Sequence, residues 1–307
     1  MSLPYDYLEY PKRRHGMDHD RYEWSMLRER KPVTWPGGAR IALWVVPALE
    51  FFPLDQPAEP FKAPGGMVTP YPDLRHYTLR DYGSRVGIFR IMKVLDGLGI
   101  RASVAVNAAI SERYPFLIEQ VNERGWEIIA GGVDMGKLHY GGLAIGEETA
   151  QVRHTVTTLR QASGQEVVGW LSPARSESEN TLDLIAAEGT QYVCDWNNDD
   201  MPYVLNTAHG TIYSMPHSHE IDDQTIMLNY HHSEQSFVDQ VRDQFDFLYH
   251  EAAKAGGRIM AITIHPWMSG QPHRIKALES ALAYVAGHDG VWSATGAEIL
   301  ASFNEQQ

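Results

Sequence analysis

His265 directly follows a run of apolar and β-branched residues in the segment AITIHPWMSGQPHRIKALESALAYV, which spans residues 261–285. The run predicts a buried strand, and the Gly/Pro-rich turn after it leads into a helical pattern. An imidazole at this strand end could donate or accept a proton near neutral pH, since its ordinary pKa is about 6.5. The alternative is a buried structural histidine that is hydrogen-bonded to the backbone.

Glu50 ends a second apolar run, RIALWVVPALE, which begins at Arg40 and predicts another buried strand. A carboxylate in such a place needs a charged partner or a raised pKa. Glu50 could therefore position or activate an attacking water molecule. The alternative is an ion pair with an arginine such as Arg85 or Arg90.

A cluster of aspartates, Asp195, Asp199 and Asp200, follows a third predicted strand in the segment DWNNDD. Neighbouring carboxylates raise one another's pKa, which suits a general base or acid. We take Asp195 as a second catalytic candidate and Asp199 as a substrate-binding candidate. A polar turn or a helix cap is the alternative for this cluster, because Met-Pro-Tyr follows it.

Other side chains could hold a substrate. Arg175, in the segment SPARS, could bind a carboxylate or a carbonyl oxygen, or could pair with one of the aspartates. The aromatic residues Trp196, Tyr203 and Trp267 could form the walls of a site for a flat substrate, although aromatic residues are more often part of a core.

The glycine-rich segment GGVDMGKLHYGGL, residues 131–143, contains two residues that can ligate metals, Asp134 and His139. Their spacing fits no standard metal motif, and the five glycines suit a loop that closely approaches a ligand. The segments PHSHEIDD and YHH add further candidates for catalysis, or are chance clusters among fourteen histidines: His217, His219, Glu220, His231 and His232.

Strand and helix patterns alternate about seven times along the chain. This alternation predicts a parallel sheet with helical crossovers, either a distorted (β/α) barrel of seven or eight units or an open doubly wound sheet. In both folds the site lies at the carboxyl ends of the strands. The candidate residues and loops there are Glu50, Asn107, residues 131–143, 172–175, 195–200 and 217–220, and His265.

The domain prediction has two parts. Residues 1–38 show no sustained periodicity of apolar residues, and we expect them to form an extended arm on the body of the protein or on a neighbouring subunit. We expect residues 39–307 to form a single catalytic domain. The Pro-rich stretch from Phe51 to Pro72 predicts a long functional loop.

Composition excludes or disfavours several classes of function. The 307-residue chain has a net charge of −13, which disfavours binding to nucleic acids. The single cysteine excludes an internal disulfide and a cysteine-rich zinc site. No run approaches the roughly 20 apolar residues of a membrane span, and no signal-peptide pattern begins the sequence, so we expect a cytoplasmic protein without membrane contact.

The order of these segments resembles the polysaccharide deacetylase superfamily, carbohydrate esterase family four. It is most similar to the branch with cofactor-independent allantoinases and cyclic imide hydrolases. The similarity covers roughly residues 35–300. The segments that carry it are WPGGARIALWVVPALE, YGSRVGIFRIMKVLDGLGI, GWEIIAGG, VGWLSPARSESENTLDLIAAEG, YVCDWNNDDMPY and IHPWMSGQPHRIKALESALAYV.

The resemblance implies a distorted (β/α) barrel that hydrolyses a carbon–nitrogen bond other than a peptide bond. The classical deacetylases of this superfamily hold a divalent metal with an aspartate and a His-x3-His pair. In this chain the two histidine positions are Gly131 and Met135, and Glu50 stands where the family has an aspartate pair. We therefore expect no cofactor, with a divalent metal such as zinc as the alternative.

The leading hypothesis is a hydrolase of a small cyclic amide, imide, ureide or N-acyl compound. Glu50 or Asp195 would act as base, His265 as acid, and Arg175 with backbone N–H groups would stabilise the oxyanion. The alternatives are a metal-dependent N-deacetylase of a carbohydrate-like substrate and a non-catalytic binder of small molecules. The aromatic arm favours a homo-oligomer.

Overall fold

The computed structural model describes residues 18–55 and 72–307. Its strands are β1 Ile41–Leu49, β2 Ser103–Val106, β3 Glu127–Ala130, β4 Gly169–Trp170, β5 Tyr192–Val193, β6 Tyr203–Thr207, β7 Gly210–Ser214, β8 Arg258–Ile264 and β9 Val291–Ser293. Its α-helices are α1 Leu74–Tyr82, α2 Ile88–Leu98, α3 Ala108–Arg113, α4 Pro115–Glu123, α5 Ile145–Ser163, α6 Thr181–Ala187, α7 Glu234–Ala255, α8 Pro266–Ser269, α9 Ile275–Ala286 and α10 Gly296–Asn304.

The strands form one curled sheet in the order β6-β7-β5-β4-β3-β2-β1-β8, with β9 also paired to β1. All pairs are parallel except the β6–β7 hairpin. The prediction of a distorted (β/α) barrel is confirmed. Strand β6 and helix α3 were not predicted from the sequence.

Between β7 and β8, a short segment lies beside the outer strand β8. Asp222 forms an isolated parallel bridge with Thr263, and the Thr263 N–H donates to the Ile221 carbonyl oxygen at 3.3 Å. These contacts bring the segment 221–223 to the carboxyl end of the sheet, next to the exit of β8.

Strands β1 and β8 consist of buried residues throughout. Alternate residues along each strand belong to two different core clusters, so both faces are buried, which explains why both sequences are nearly continuous apolar runs. In their register Pro47 lies opposite Ile264, so the two strands end close together at the same edge of the sheet. Glu50 and His265 therefore emerge side by side.

Helices α1 and α2 are joined by a wider helical turn, Gly83–Gly87, which lies against α8. A Cβ atom on Gly87 would lie 2.0 Å from the Pro266 carbonyl oxygen, and one on Gly83 would lie 2.7 Å from the Trp267 nitrogen. Only glycine allows this backbone contact. The YGSRVG motif thus fixes α1 and α2 against the segment that follows His265.

The described part of the predicted arm, residues 18–38, lies on the body of the protein. The Trp35 indole is buried and donates to the Arg258 carbonyl oxygen at 2.9 Å. The buried Arg21 guanidinium binds both carboxylate oxygens of Asp183, at 2.7 and 3.1 Å. The domain boundary at residue 38 stays a prediction.

Two further sequence predictions meet the structure in this region. Most of the predicted loop between Phe51 and Pro72 falls on residues 56–71, which lie outside the described residues. Among the described residues no helix combines the length and the hydropathy that crossing a membrane requires.

Candidate active site

A cavity of about 150 Å³ opens at the carboxyl ends of the strands. It brings together six of the seven predicted strand ends, and its lining includes Glu50, Asn107, Gly131, Arg175, His219 and His265. The lining includes apolar residues, namely Ala48, Leu49, Ala105, Met135, Leu171 and Pro173. The other lining residues are mostly polar or charged, so the cavity can hold a small molecule that has both kinds of surface.

His265 is buried, and the Asp223 carboxylate fixes its orientation. The Nδ1 atom of His265 lies 2.6 Å from Asp223 Oδ1, and the His265 backbone N–H donates to both oxygens of the same carboxylate, at 3.1 and 2.9 Å. The Ser269 hydroxyl donates to Asp223 as well. Because a carboxylate accepts hydrogen bonds, Nδ1 carries a proton and Nε2 is the atom that remains for chemistry.

Three carboxylates surround the His265 imidazole. Burial by itself lowers the pKa of this histidine, but the negative charges of Asp222, Asp223 and Glu50 and the Asp223 hydrogen bond outweigh burial and raise the pKa to about 10. His265 Nδ1 is 3.7 Å from Asp222 Oδ1, and its Nε2 is 3.9 Å from Glu50 Oε1. His265 is therefore an imidazolium at neutral pH and can act as a general acid.

Glu50 faces His265 across the cavity lining. Its side chain is 15% exposed, and Oε2 is buried without a hydrogen-bond partner among the described residues. Burial raises the pKa of Glu50, while the charges of His265 and Arg80 oppose that rise. A carboxylate with an unsatisfied oxygen beside an imidazolium is suited to accept a proton from a water molecule.

The arginine near Glu50 is neither Arg85 nor Arg90, the two examples that the sequence suggested. Arg85 lies 3.6 Å from Asp81, on the same helical surface, and Arg90 donates to the Tyr82 hydroxyl and to the Gly270 carbonyl oxygen. The arginine that acts on Glu50, in addition to His265, is Arg80, which α1 brings to the site.

Asn107, at the end of β2, holds the neighbouring strand exits together. Its side-chain oxygen accepts the Phe51 N–H at 2.7 Å, and its amide nitrogen donates to the Gly131 carbonyl oxygen. The backbone that carries Glu50 is thereby tied to the glycine-rich loop after β3. Asn107, one of the predicted strand-end candidates, therefore positions the backbone around the cavity.

Arg175 lines the cavity, but its guanidinium already has partners. It donates to the carbonyl oxygens of His217, at 2.9 Å, and Ser218, at 3.2 Å, and lies 3.6 Å from Asp222. Ala174 and Arg175 both have a left-handed backbone, with φ of 55° and 54°. Arg175 therefore fixes the 217–222 segment beside the cavity, and its predicted role at the oxyanion stays a prediction.

Asp195 lies outside the cavity lining, in a neighbouring depression that shares Arg175 with it. Its Oδ1 accepts the Ser172 N–H at 2.8 Å. Burial raises the pKa of Asp195. The neighbouring Glu177 carboxyl is buried as well, and burial together with the charge of Asp195 raises its pKa well above the ordinary value. Of the two carboxylates proposed as base, only Glu50 faces His265, and the catalytic role of Asp195 stays a prediction.

Three of the predicted substrate-binding residues contact the N-terminal part of the chain. Trp196 and Tyr203 pack edge-on against Tyr22, with ring centroids 5.7 and 5.1 Å away. Asp199 forms an ion pair with Arg30 at 2.6 Å. None of the three lines the cavity, so a role in binding substrate stays a prediction.

Trp267 lies next to the cavity, with its ring centroid 6.2 Å from that of His265. It is 5% exposed and lies under the Arg80 guanidinium. A direct contact between Trp267 and a substrate stays a prediction.

The remaining candidates from the two histidine-rich segments lie in different environments. His217 is fully buried and lies 3.2 Å from the Thr263 hydroxyl, and burial with the charge of Arg175 moves its pKa well below the usual value. His219 lies at the rim of the cavity. Glu220, His231 and His232 are exposed.

The comparisons with known proteins agree with this architecture. The sequence profile of the polysaccharide deacetylase family matches residues 77–193. A Schizosaccharomyces pombe protein named after polysaccharide deacetylases is 24% identical over 305 residues, which cover 89% of this chain and 94% of the yeast protein. The resemblance to polysaccharide deacetylases is confirmed.

Solved structures support the same assignment. The crystal structure of Puue allantoinase is 25% identical, with a TM-score of 0.82, over 91% of this chain and 95% of that one. A probable polysaccharide deacetylase from Pseudomonas aeruginosa PAO1 is 26% identical, with a TM-score of 0.79, over 89% and 94% of the two chains. These relatives are hydrolases of carbon–nitrogen bonds other than peptide bonds, and the prediction of such an enzyme is confirmed.

The metal ligands of classical polysaccharide deacetylases do not fit this site. Both expected histidine positions, Gly131 and Met135, line the cavity. A Cβ atom on Gly131 would lie 2.9 Å from the backbone of Val106, so a histidine there requires a backbone shift. We therefore assign no step of the reaction to a metal.

Two other groups of residues could ligate a metal. Asp134 accepts the Gly136 N–H at 2.7 Å, and His139 is buried 3.0 Å from Glu148; a role of these two residues in metal binding stays a prediction. Potential ligand atoms of Asp222, Asp223 and His265 lie within 4.8 Å of one another. However, Asp223 and His265 Nδ1 already bind each other.

The sequence analysis did not single out Asp222 and Asp223 as site residues. They occur in the quoted segment PHSHEIDD, which lacks a strand pattern and reaches the site through a single bridge to β8. Paired carboxylates just before a long helical pattern were the available signal, but only the fold shows that they meet His265.

Proposed function

We propose that this chain hydrolyses a ring carbon–nitrogen bond in a small cyclic amide, imide or ureide. The observation that carries the proposal is the pair formed by Glu50 and His265, whose facing atoms lie 3.9 Å apart at the cavity. A base and an acid of this kind are the groups that amide hydrolysis requires. The similarity to an allantoinase structure favours a cyclic substrate.

In the proposed reaction Glu50 accepts a proton from water as the water oxygen attacks the substrate carbonyl carbon. The tetrahedral intermediate then collapses, and the carbon–nitrogen bond breaks. His265 Nε2 donates its proton to the leaving nitrogen, so the ring opens to a carboxylic acid and an amine or amide. Return of the Glu50 proton to His265 across the 3.9 Å gap restores the starting state.

The dimensions of the cavity support a small substrate. A volume of about 150 Å³ suits a compact ring better than a polymer chain. Apolar lining residues such as Met135, Leu171 and Pro173 can pack against a ring face, while polar lining groups bind its edges. An open-chain N-acyl compound is an alternative substrate that the same two residues could hydrolyse.

The pH dependence of kcat/KM follows from the two pKa shifts. Glu50 acts when it is ionised, so activity falls as the pH decreases through its pKa, which burial raises above the usual value. His265 acts when it is protonated, so activity falls as the pH increases through about 10. We expect a bell-shaped profile with these limbs, measured as initial rates over pH 4–11. A profile without an alkaline limb would contradict the role of His265.

The test of the function is a panel of substrates. Purified protein is incubated with cyclic imides, hydantoins, ureides and N-acetylated sugars, and products are quantified by NMR. Ring opening by the wild type, and its loss in Glu50→Gln, would support the proposal. Release of acetate from the sugars without any ring opening would favour the N-deacetylase alternative, and binding without turnover would favour the binder.

Three further expectations belong to this proposal. The ligand is a small molecule rather than a nucleic acid, the protein acts in the cytoplasm, and it assembles as a homo-oligomer. The aromatic contacts of the described arm lie within one chain, and analytical ultracentrifugation measures the assembly directly.

A further inference from the structure

Arg80 connects the two strand exits that carry the proposed catalytic residues. Its guanidinium carbon lies 3.7 Å from the ring centroid of Trp267 and 5.1 Å from that of Phe52. Phe52 follows Glu50 by two residues, and Trp267 follows His265 by two residues. One side chain of α1 therefore contacts the residues just beyond both catalytic candidates.

The burial of Arg80 requires a compensating anion. The residue is 7% exposed, and a buried cation without an opposite charge is strongly destabilising. Burial lowers the pKa of Arg80 to about 10, and the charge of Glu50 opposes this shift. Conversely, the charge of Arg80 lowers the pKa of Glu50.

The other groups that act on Glu50 come from different elements. His265, after β8, favours the ionised form of Glu50, whereas Asp222, in the segment beside β8, disfavours it. Asp222 and Asp223 both interact electrostatically with the positive charge of His265. Arg175 lies 3.6 Å from Asp222 and supplies a second positive charge there. Arg80 is the arginine that acts on Glu50.

We propose that Arg80, which stacks on the aromatic residues two positions beyond Glu50 and His265, is the positioning residue that holds the Glu50 carboxylate toward His265. The inference rests on the proposed function and deepens it, because it assigns a role to a side chain outside the cavity lining. A planar guanidinium stacks on aromatic faces while its charge remains available to a carboxylate, which a lysine ammonium does less well.

The first experiment titrates Glu50 without relying on turnover. Infrared difference spectra follow its carboxyl band, which is identified by its loss in Glu50→Gln. In Arg80→Met we expect the titration midpoint to move up by about 1 pH unit or more, as removal of a nearby opposite charge predicts. Arg85→Met removes an exposed arginine from the same helical surface and is the matched control, with no expected shift. An unchanged midpoint in Arg80→Met would overturn the proposal.

The second experiment separates positioning from general stability. In Arg80→Met the acid limb of the kcat/KM profile should move to higher pH, whereas a purely structural role would lower activity equally at every pH. If Arg80→Met fails to fold, Arg80→Lys decides: it keeps the charge, so the limb should stay in place while kcat falls. A wild-type kcat in Arg80→Lys would contradict the role of the stacked guanidinium.

The two proposals can fail separately. Absence of ring opening in the wild type would refute the proposed function, while the infrared titration would still report the effect of Arg80 on Glu50. Ring opening that depends on Glu50, together with an unmoved midpoint in Arg80→Met, would refute only the role of Arg80.

Discussion

Replacing His265 with glutamine is expected to lower kcat by about 10²- to 10⁴-fold, the range that a positioned general acid contributes. Glutamine fills similar space but carries no proton that it can release to a leaving nitrogen. The loss should be largest for substrates whose leaving nitrogen is most basic, because these depend most on protonation. The measurement is the steady-state rate of ring opening near pH 7.

The same substitution has a second consequence for Glu50. The positive charge of His265 lowers the pKa of Glu50, so its loss should move the pKa of Glu50, which burial already raises, further up. His209→Gln, on the exposed β6–β7 turn, is the control for a histidine substitution far from the cavity. Activity of His265→Gln within a few-fold of the wild type would show that another group supplies the proton.

Replacing Asp223 with asparagine is expected to lower kcat/KM by about 10²- to 10⁴-fold at neutral pH, as when a carboxylate that orients a catalytic histidine is neutralised. The carboxylate accepts hydrogen bonds from the His265 backbone, the His265 ring and Ser269. An asparagine NH₂ group would place a donor opposite at least one of these donors. His265 would then lose its orientation as well as a neighbouring negative charge.

The pH profile distinguishes these effects in Asp223→Asn. Because Asp223 helps to raise the pKa of His265, the alkaline limb should move from about 10 to lower pH. Ser269→Ala removes one hydrogen bond and retains the charge, so it should leave this limb near its original position. An alkaline limb that does not move in Asp223→Asn would contradict the coupling between Asp223 and His265.

The central features of the site were predictable because they depend on local patterns. Glu50 and His265 each end an apolar run, and such runs become strands of a parallel sheet that are buried on both faces. Their register then brings the two residues to one edge. The sequence order of the other segments indicated the barrel in the same way.

Other features depend on contacts between distant segments, which no local pattern shows. Asp223 contacts His265 from a segment that forms a bridge with β8, and Arg80 lies over Trp267 on helix α1, which the turn Gly83–Gly87 joins to the backbone of α8. Trp196 and Tyr203 follow a strand end as predicted, but Tyr22 packs against them. The direction of a side chain beyond a strand end is thus set by its tertiary neighbours.

The central claim is that the side chains of Glu50 and His265 carry out the hydrolysis in a site that lacks the classical histidine ligands. The most direct measurement is the rate of ring opening by protein stripped of metal with a chelator, with residual metal determined by mass spectrometry. The account predicts a kcat/KM within about twofold of the untreated protein and no increase on addition of zinc. Loss of activity on stripping, and its recovery with zinc, would contradict it.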